Sequence, residues 1–312
     1  CIRDSLTTVL GVTTSLGLGT EQISSGLSYV FSLSESFSNK IVIIFVITLI
    51  GLVSVCLGLD KGIKRLSQIN MILASSLMLF IFLFGPTIFI LNALIQNFGS
   101  YLNTIIESAT WTEAYDKTSW QNGWTLFFYT WWFAWAPFVS LFIARISYGR
   151  SIKEFIIGVL FVPSFIVFLW MGIFGNAAIY QVINETSQIN EIVNNNYTVA
   201  LFALFDVYPI SQIVSIVSLV LIVTFFVTSS DSGALVASML SSKKDTSIHS
   251  DSPLISRVTW AVLLGIVAAV LLYKGGLVAL QTSVVITGVP FSIIVVFAIK
   301  QFYLSLENEL DN

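Results

Sequence analysis

The chain has 312 residues, of which 56% are hydrophobic and only 10% are charged, with a formal net charge of −3. In soluble domains about a quarter of the residues are charged, so this composition excludes an ordinary soluble protein and indicates one that crosses a membrane several times. It leaves no basic surface for nucleic acid. With two cysteines and a single histidine, His249, we expect neither a structural disulfide nor a metal cluster.

Eight segments are apolar and long enough to cross a bilayer core, which needs about 20 helical residues. They do not alternate polar and apolar residues as the strands of a transmembrane barrel do, so the predicted fold class is an all-α integral membrane protein. In chain order the predicted spans are Ser5–Leu27, Ile41–Leu59, Ile69–Ile95, Gly123–Ala144, Ile152–Ile173, Ile210–Met239, Leu254–Tyr273 and Ser283–Tyr303.

Basic residues are distributed unevenly between the predicted loops. If the first residues lie in the cytoplasm, only Lys40, Lys117 and Lys274 of the 14 lysines and arginines fall on the outer side. Cytoplasmic loops hold the excess of lysine and arginine in membrane proteins. The pattern therefore predicts a multi-pass protein, surrounded by membrane lipid, whose C-terminus is cytoplasmic.

The first span is polar for a membrane helix. Its run VTTSLGLG at Val12–Gly19 is rich in threonine, serine and glycine, and Gly11, Ser15 and Gly19 recur at four-residue spacing. A stripe of small residues lets helix backbones approach closely, so we expect the glycines to serve packing. Further on, Asn97–Thr110 is moderately amphipathic, as in a helix on the outer membrane interface or in an ordinary packed connector.

The fourth span carries the strongest functional signal. Asn122–Phe142 reads NGWTLFFYTWWFAWAPFVSLF, with tryptophans at mid-span, where a plain anchor would have leucine or valine. Indole faces stacked on one side of a helix attract a quaternary ammonium group through cation–π interactions. Tryptophan also serves ordinary helix packing, and the spacing alone favours neither role. Five aromatic residues fall within about 100° of one another on a helical wheel: Trp124, Phe128, Trp131, Trp132 and Trp135.

The sixth span is polar at Val227–Gly233 (VTSSDSG). Asp231 within an apolar helix is expected to face a water-filled cavity or a polar partner. The hydroxyls of Thr228 and Ser229 are the hard oxygen ligands that a small alkali cation accepts, although such hydroxyls also bond back to the preceding turn without an ion. The likeness to Val12–Gly19 hints at an internal repeat of the kind found in secondary transporters.

The run Gly123–Phe155 closely resembles the signature of the betaine/choline/carnitine transporter (BCCT) family. The resemblance extends, in the family's order and spacing, to Thr14–Leu27, Gly172–Ala177 and Phe226–Gly233, and thus over essentially all of this chain. It implies the inverted-repeat (LeuT-like) transporter fold, of whose twelve spans the eight here correspond to the last eight, the C-terminal two-thirds of the family's architecture.

The same resemblance divides the chain in two. Residues 1–121 correspond to the last three helices of the first repeat with an outer interfacial helix, and residues 122–312 to the complete second five-helix repeat. The N-terminal part of the transporter, with the rest of the substrate cage, is expected to be missing from this sequence.

The family's substrate cage can be carried over residue by residue. Trp132 matches its central aromatic residue, and Trp131 and Trp135 flank it in the same helix. Tyr129 stands where some members have another tryptophan, so we include it among the substrate-binding residues with Trp131, Trp132 and Trp135.

The sodium ligands follow in the same way. Thr228 and Ser229 match the hydroxyl pair that coordinates sodium in sodium-coupled members. Phe138 matches a residue that lines a second sodium site, to which the first span contributes hydroxyls. Thr8 is the best candidate there, with Thr13 and Thr14 as neighbours that leave the alignment open.

The resemblance implies a secondary active transporter in a bacterial inner membrane. It would import a quaternary ammonium compound such as glycine betaine, choline or carnitine by alternating access, as a homotrimer, with sodium as coupling ion and no other cofactor. Proton coupling or exchange of the same substrates is the alternative, with Asp231 as candidate proton carrier. A membrane scaffold is a remote one, and an enzyme is excluded because no nucleophile–base pair, metal cluster or phosphate cradle occurs.

Overall fold

The computed structural model describes residues 2–58, 62–116, 118–242 and 252–310. Lys117 and His249, which entered the predictions above, lie outside these ranges, as do the lysines at 61, 243 and 244. Within them the chain is helical and contains no strand. The helices are α1 (Ile2–Phe31), α2 (Phe37–Gly58), α3 (Lys64–Phe84), α4 (Thr87–Thr110), α5 (Phe127–Ile146), α6 (Ile152–Ile156), α7 (Val162–Ile183), α8 (Ile189–Asn195), α9 (Ala200–Phe205), α10 (Ser211–Ser241) and α11 (Leu254–Leu310).

Six stretches of the described chain are long and apolar enough to cross a membrane. Helix α1 is not among them, because its threonines, serines and glycines make it less apolar than the others. The last stretch holds two of the predicted spans, and Gly276 between them has the non-helical angles φ 58° and ψ −145°. The count of eight spans therefore stays a prediction. The six are Phe37–Leu57, Lys64–Phe84, Asn122–Ile146, Ile152–Ile183, Ser211–Ser241 and Leu254–Asn308.

The predicted third span, Ile69–Ile95, is wrong in one respect, because the helix breaks within it. Helix α3 ends at Phe84, and α4 begins at Thr87. Pro86 has no backbone N–H, and Gly85 has extended backbone angles (φ −89°, ψ −169°), so the helical hydrogen bonds are interrupted there. The segment Asn97–Thr110 is therefore not a helix of its own but the second half of α4, which is not among the six stretches, and its position on the outer interface stays a prediction.

Helix α1 lies at the centre of the fold, in contact with α2, α5, α10 and α11. Its Val12 and Leu16 are 1% exposed and pack in one hydrophobic core with Val227 of α10 and Leu280 of α11. The predicted packing role of its glycines is confirmed at Gly19, where an added Cβ would lie 2.4 Å from the ring of Phe226. A second core joins α3, α4, α7, α9 and α10.

Candidate functional site

Aromatic rings form a ladder along one side of α5 and the helical residues before it. Neighbouring ring centroids are 5.5 to 6.3 Å apart, within the range in which aromatic pairs attract each other. The arc of aromatic residues on one helix side is thus confirmed for all of its predicted members except Trp132. In chain order the ladder consists of Trp120, Trp124, Phe128, Trp131 and Trp135.

Trp131 and Trp135 are held against α1 by their indole N–H groups. Both donate to the backbone carbonyl of Gly11, at 3.2 Å and 3.3 Å, and the hydroxyl of Ser15 donates to the same oxygen at 3.1 Å. A Cβ at Gly11 would lie only 3.2 Å from Cδ1 of Trp135 and 3.3 Å from the backbone of Ala134. The glycine therefore permits the close approach of α1 and α5 that both hydrogen bonds require.

Trp132 and Tyr129 lie on a different side of α5. Their side chains are 73% and 60% exposed, and neither ring contacts another aromatic ring within the described ranges. At three-residue spacing the two share one helix face. The structure thus brings together two of the four predicted substrate-binding residues, Trp131 and Trp135, and leaves the rings of Trp132 and Tyr129 uncovered.

The hydroxyls of Thr228 and Ser229 converge on one carbonyl in α10. Thr228 Oγ1 donates to the backbone oxygen of Phe225 at 2.8 Å, and Ser229 Oγ donates to the same oxygen at 3.0 Å. These are the back-bonds that we considered as the alternative to an ion site. The three oxygens nevertheless match the hard ligands that a sodium ion takes, and the lone pairs of both hydroxyls are not used by these bonds.

The residues predicted for a second sodium site are buried in the core. Phe138 is 5% exposed and contacts the ring of Trp135 at 5.5 Å. Thr8 is fully buried, and its hydroxyl has no hydrogen-bond partner in the described part of the chain, which also holds for Thr13. The hydroxyl of Thr14 instead has two backbone acceptors, the oxygens of Leu10 at 2.8 Å and Leu280 at 3.0 Å, so the buried hydroxyls that fit an ion by type are those of Thr8 and Thr13.

The polar run of α10 has partners on two other helices that were not predicted from the sequence. Asp231 is 1% exposed, and it accepts a hydrogen bond from the hydroxyl of Ser54 in α2, which confirms the expected polar partner. Asn70 of α3 is 3% exposed, and its Nδ2 donates to Thr228 Oγ1 at 3.4 Å. A lone asparagine within an apolar span is a signal that sequence reasoning can use, whereas its partner is set by the tertiary fold.

The loop before α5 is organised by Glu113, which was not predicted either. Its carboxylate accepts the backbone N–H groups of Thr118 at 2.6 Å, Trp120 at 3.4 Å and Gln121 at 2.9 Å, together with the hydroxyl of Thr118. The Thr118 hydroxyl bond, followed by the backbone bonds, lowers the pKa of Glu113 below its ordinary value. Glu113 therefore caps the helical segment that carries the aromatic ladder, where the first N–H groups have no partner within the helix.

We expect Glu113→Gln to loosen the outer end of the ladder. A carboxyl whose pKa is lower in the folded state stabilises the fold above its unfolded pKa, and this contribution disappears as the pH falls through the folded value. Acrylamide quenching of tryptophan fluorescence should therefore be low at neutral pH and rise below the ordinary carboxyl pKa in the wild type. In the glutamine variant quenching should be high throughout.

The matched control for this change is Glu107→Gln, at an exposed position near the end of α4. It removes the same charge six residues earlier in the chain without changing the cap. Its tryptophan fluorescence should be quenched by acrylamide to the same extent as that of the wild type. Identical quenching curves for Glu113→Gln and Glu107→Gln would mean that the cap does not order the loop.

Comparison of the sequence with known proteins identifies the family of this chain. The sequence matches the profile described as BCCT, betaine/carnitine/choline family transporter, over residues 5–311, which is nearly the whole chain. It is 41% identical to the glycine betaine transporter of Acinetobacter baylyi over 92% of this chain and 43% of that protein.

Two further relatives are similar over almost all of this chain. The glycine betaine transporter OpuD of Bacillus subtilis is 42% identical over 97% of this chain and 58% of its own length. The high-affinity choline transport protein of Escherichia coli (strain K12) is 40% identical over 97% of this chain and 45% of its own length. The chain thus spans about half the length of the curated relatives it matches.

Proposed function

This chain belongs to the betaine/carnitine/choline family of transporters, and we propose that it is part of a secondary active transporter that imports a quaternary ammonium compound. The family consists of membrane transporters and not of enzymes, which confirms the prediction that the chain is not an enzyme. Its relatives carry the names of glycine betaine and choline transporters, and both compounds have a trimethylammonium group. Carnitine has the same group and is the third candidate substrate.

The observation that carries this proposal is the exposed ring of Trp132 beside an aromatic ladder whose other rings are engaged. Trp131 and Trp135 use their N–H groups to hold α5 against α1, whereas Trp132 is 73% exposed and stacks on no other ring in the described chain. A desolvated indole face attracts a cation by about 2 kcal/mol. Trp132, with Tyr129 on the same helix face, would hold the trimethylammonium group together with side chains from the rest of the transporter.

Sodium is the proposed coupling ion. The oxygens of Phe225, Thr228 and Ser229 would hold it on α10, and those of Thr8 or Thr13 would serve a second site beside Phe138. An ion couples to transport only if it binds one conformation more tightly than the other. Sodium would therefore stabilise the outward-open conformation that accepts the substrate from outside.

Proton coupling or exchange remains the second candidate. It is favoured by Asp231, a carboxyl that is 1% exposed, lies within a membrane-spanning helix, and is hydrogen-bonded to Ser54. The rest of the proposal follows the family: the inverted-repeat fold divided at residues 121 and 122, a homotrimer, and a bacterial inner membrane with the C-terminus in the cytoplasm.

Uptake by the full-length transporter in proteoliposomes tests the proposal. We expect labelled glycine betaine, choline or carnitine to accumulate when an inward sodium gradient is imposed, and Thr228→Ala to raise the half-maximal sodium concentration about tenfold. Accumulation driven by a pH gradient in the absence of sodium would instead support the second candidate. If none of the three compounds is taken up under either gradient, the proposed substrate class is wrong.

A further inference from the structure

The side chain of Asn70 presents a buried oxygen beside the candidate sodium ligands of α10. Asn70 lies on α3, is 3% exposed, and donates through Nδ2 to Thr228 Oγ1 at 3.4 Å. Its other polar atom, Oδ1, is buried and accepts no hydrogen bond from the described residues. Most buried polar atoms in proteins have a partner, so such an exception calls for an explanation.

The hydrogen-bond pattern fixes the orientation of the amide. A threonine hydroxyl has one proton, and Thr228 donates that proton to the carbonyl of Phe225 at 2.8 Å. Toward Asn70 the hydroxyl can therefore only accept, so the NH₂ group of the amide must face it. Turning the amide over would bring two acceptors together. The unpaired atom is thus an oxygen and not a nitrogen.

The groups linked to the Asn70 amide by hydrogen bonds present oxygen, which is the type of ligand that a cation accepts. The Asn70 amide is hydrogen-bonded to the hydroxyl of Thr228, which is in turn bonded to the carbonyl of Phe225. Both of these groups present oxygen. Amide oxygens, carbonyls and hydroxyls are the uncharged hard ligands that alkali and alkaline-earth cations accept. The three groups come from α3 and α10, so an ion held by them would join these two helices.

We propose that Asn70 supplies, through Oδ1, a further oxygen ligand to the sodium site of Thr228 and Ser229. This inference rests on the sodium-coupled function proposed above and adds α3 to the elements that bind the ion. It makes occupation of the site sensitive to the distance between α3 and α10. A conformation in which these helices separate would release the ion.

The test measures sodium binding without transport. The purified full-length protein is titrated with NaCl against KCl at constant ionic strength and without substrate, and its melting temperature and tryptophan fluorescence are followed. Ligand binding to the folded state stabilises it by RT ln(1 + L/Kd), where L is the sodium concentration, so the melting temperature starts to rise when sodium exceeds Kd, and the saturating fluorescence change gives the midpoint. We expect Asn70→Leu, which removes the amide oxygen at similar volume, to raise the sodium concentration at half-maximal response about tenfold, or about 1.4 kcal/mol of binding free energy.

Asn70→Asp separates a ligand from a residue that only orients Thr228. Aspartate keeps an oxygen and adds a negative charge but loses the N–H donor, so we expect its sodium midpoint to lie at or below that of the wild type. If Asn70→Asp is shifted as far as Asn70→Leu, Asn70 acts through its N–H on Thr228, and the proposal is overturned. Asn70→Ala replaces the leucine variant if the latter is poorly folded in KCl.

Ser218→Ala is the matched control. Ser218 is also buried on α10 with an unpaired hydroxyl, but it lies ten residues before Thr228, which is about 15 Å along a helix. Its sodium midpoint should equal that of the wild type. If the sodium midpoint of Asn70→Leu equals that of the wild type, the proposed role of Asn70 is overturned. A raised midpoint in Thr228→Ala would then still support the proposed sodium site. If the wild type itself does not respond to sodium, both proposals fail together.

Discussion

Replacing Trp132 by alanine is expected to lower the uptake of a quaternary ammonium substrate by about 30-fold without lowering the melting temperature of the full-length protein. A desolvated cation–π contact contributes about 2 kcal/mol, which corresponds to this factor in affinity. Trp132 is 73% exposed and makes no aromatic contact in the described chain, so its truncation removes no ring packing there. The loss should therefore appear as a raised KM with a folded protein.

Trp131→Ala is the informative comparison in the same helix. Trp131 stacks on Phe127 at 5.4 Å, meets Trp135 edge-on at 6.3 Å, and donates to the carbonyl of Gly11. Truncating a packed aromatic side chain costs about 3–5 kcal/mol in a full core, and somewhat less at a half-buried position. We expect Trp131→Ala to lower the melting temperature by several degrees, which Trp132→Ala does not do.

Trp132→Phe completes the set, because it keeps an aromatic face of weaker quadrupole. Its KM should lie between those of the wild type and the alanine variant. The assignment is wrong if Trp132→Ala transports like the wild type, or if the variant loses stability as Trp131→Ala does. Equilibrium binding of labelled glycine betaine and a thermal unfolding scan on the same samples distinguish these results.

The aromatic ladder shows which features of the site can be predicted from the sequence and which cannot. Residues three and four apart share a helix side, so the spacing of Trp124, Phe128, Trp131 and Trp135 predicted these four members of the ladder, whereas Trp120 was not predicted. Which neighbour receives their N–H groups was not predictable, because Gly11 lies 120 residues before Trp131 in the chain. The same limit applies to Trp132, whose 60° offset from Trp135 on the wheel did not show that its ring is 73% exposed and lies outside the ladder.

The ion site shows the same division between local and tertiary information. The hydroxyl pair Thr228 and Ser229 is visible in the sequence because both residues belong to one polar run in an apolar helix. Ser54 and Asn70 lie on α2 and α3, 177 and 158 residues away from their partners, and pattern alone does not pair them. Their contacts depend on how three helices pack.

The sequence contains a local signal for the break in the third predicted span, the pair Gly85 and Pro86, but average hydropathy does not detect it. A window of about 20 residues averages over Gly85 and Pro86, so the apolar run from Ile69 to Ile95 reads as one span. Pro86 removes a backbone donor, and the helix restarts after it. In α11 the interruption is set by Gly276, whose φ of 58° a glycine adopts without strain.

Gly288→Ala is expected to have the largest effect of any single methyl group at the aromatic helix. An added Cβ would lie 2.3 Å from the backbone oxygen of Thr130 and 3.0 Å from its carbonyl carbon. Backbone atoms within α5 cannot rotate away as a side chain can, so α11 must move away from α5. This movement opens the small core in which Phe127, Ala134 and Val284 pack beside Trp131.

Overpacking of this kind destabilises proteins by about 1–3 kcal/mol, and we expect the upper end for a clash with backbone. Because Thr130 lies between Tyr129 and Trp131, uptake should fall by at least about tenfold even in molecules that remain folded.

Gly175→Ala is the matched control, since this glycine is exposed in α7 and no atom lies within 4 Å of the added Cβ. Alanine is favoured over glycine in a helix by up to about 1 kcal/mol, so the control should melt at or above the wild-type temperature. If Gly288→Ala has the same melting temperature as the control and transports normally, α11 and α5 do not touch at Thr130 in the working transporter. The helices around the aromatic ladder would then be arranged differently from this structure.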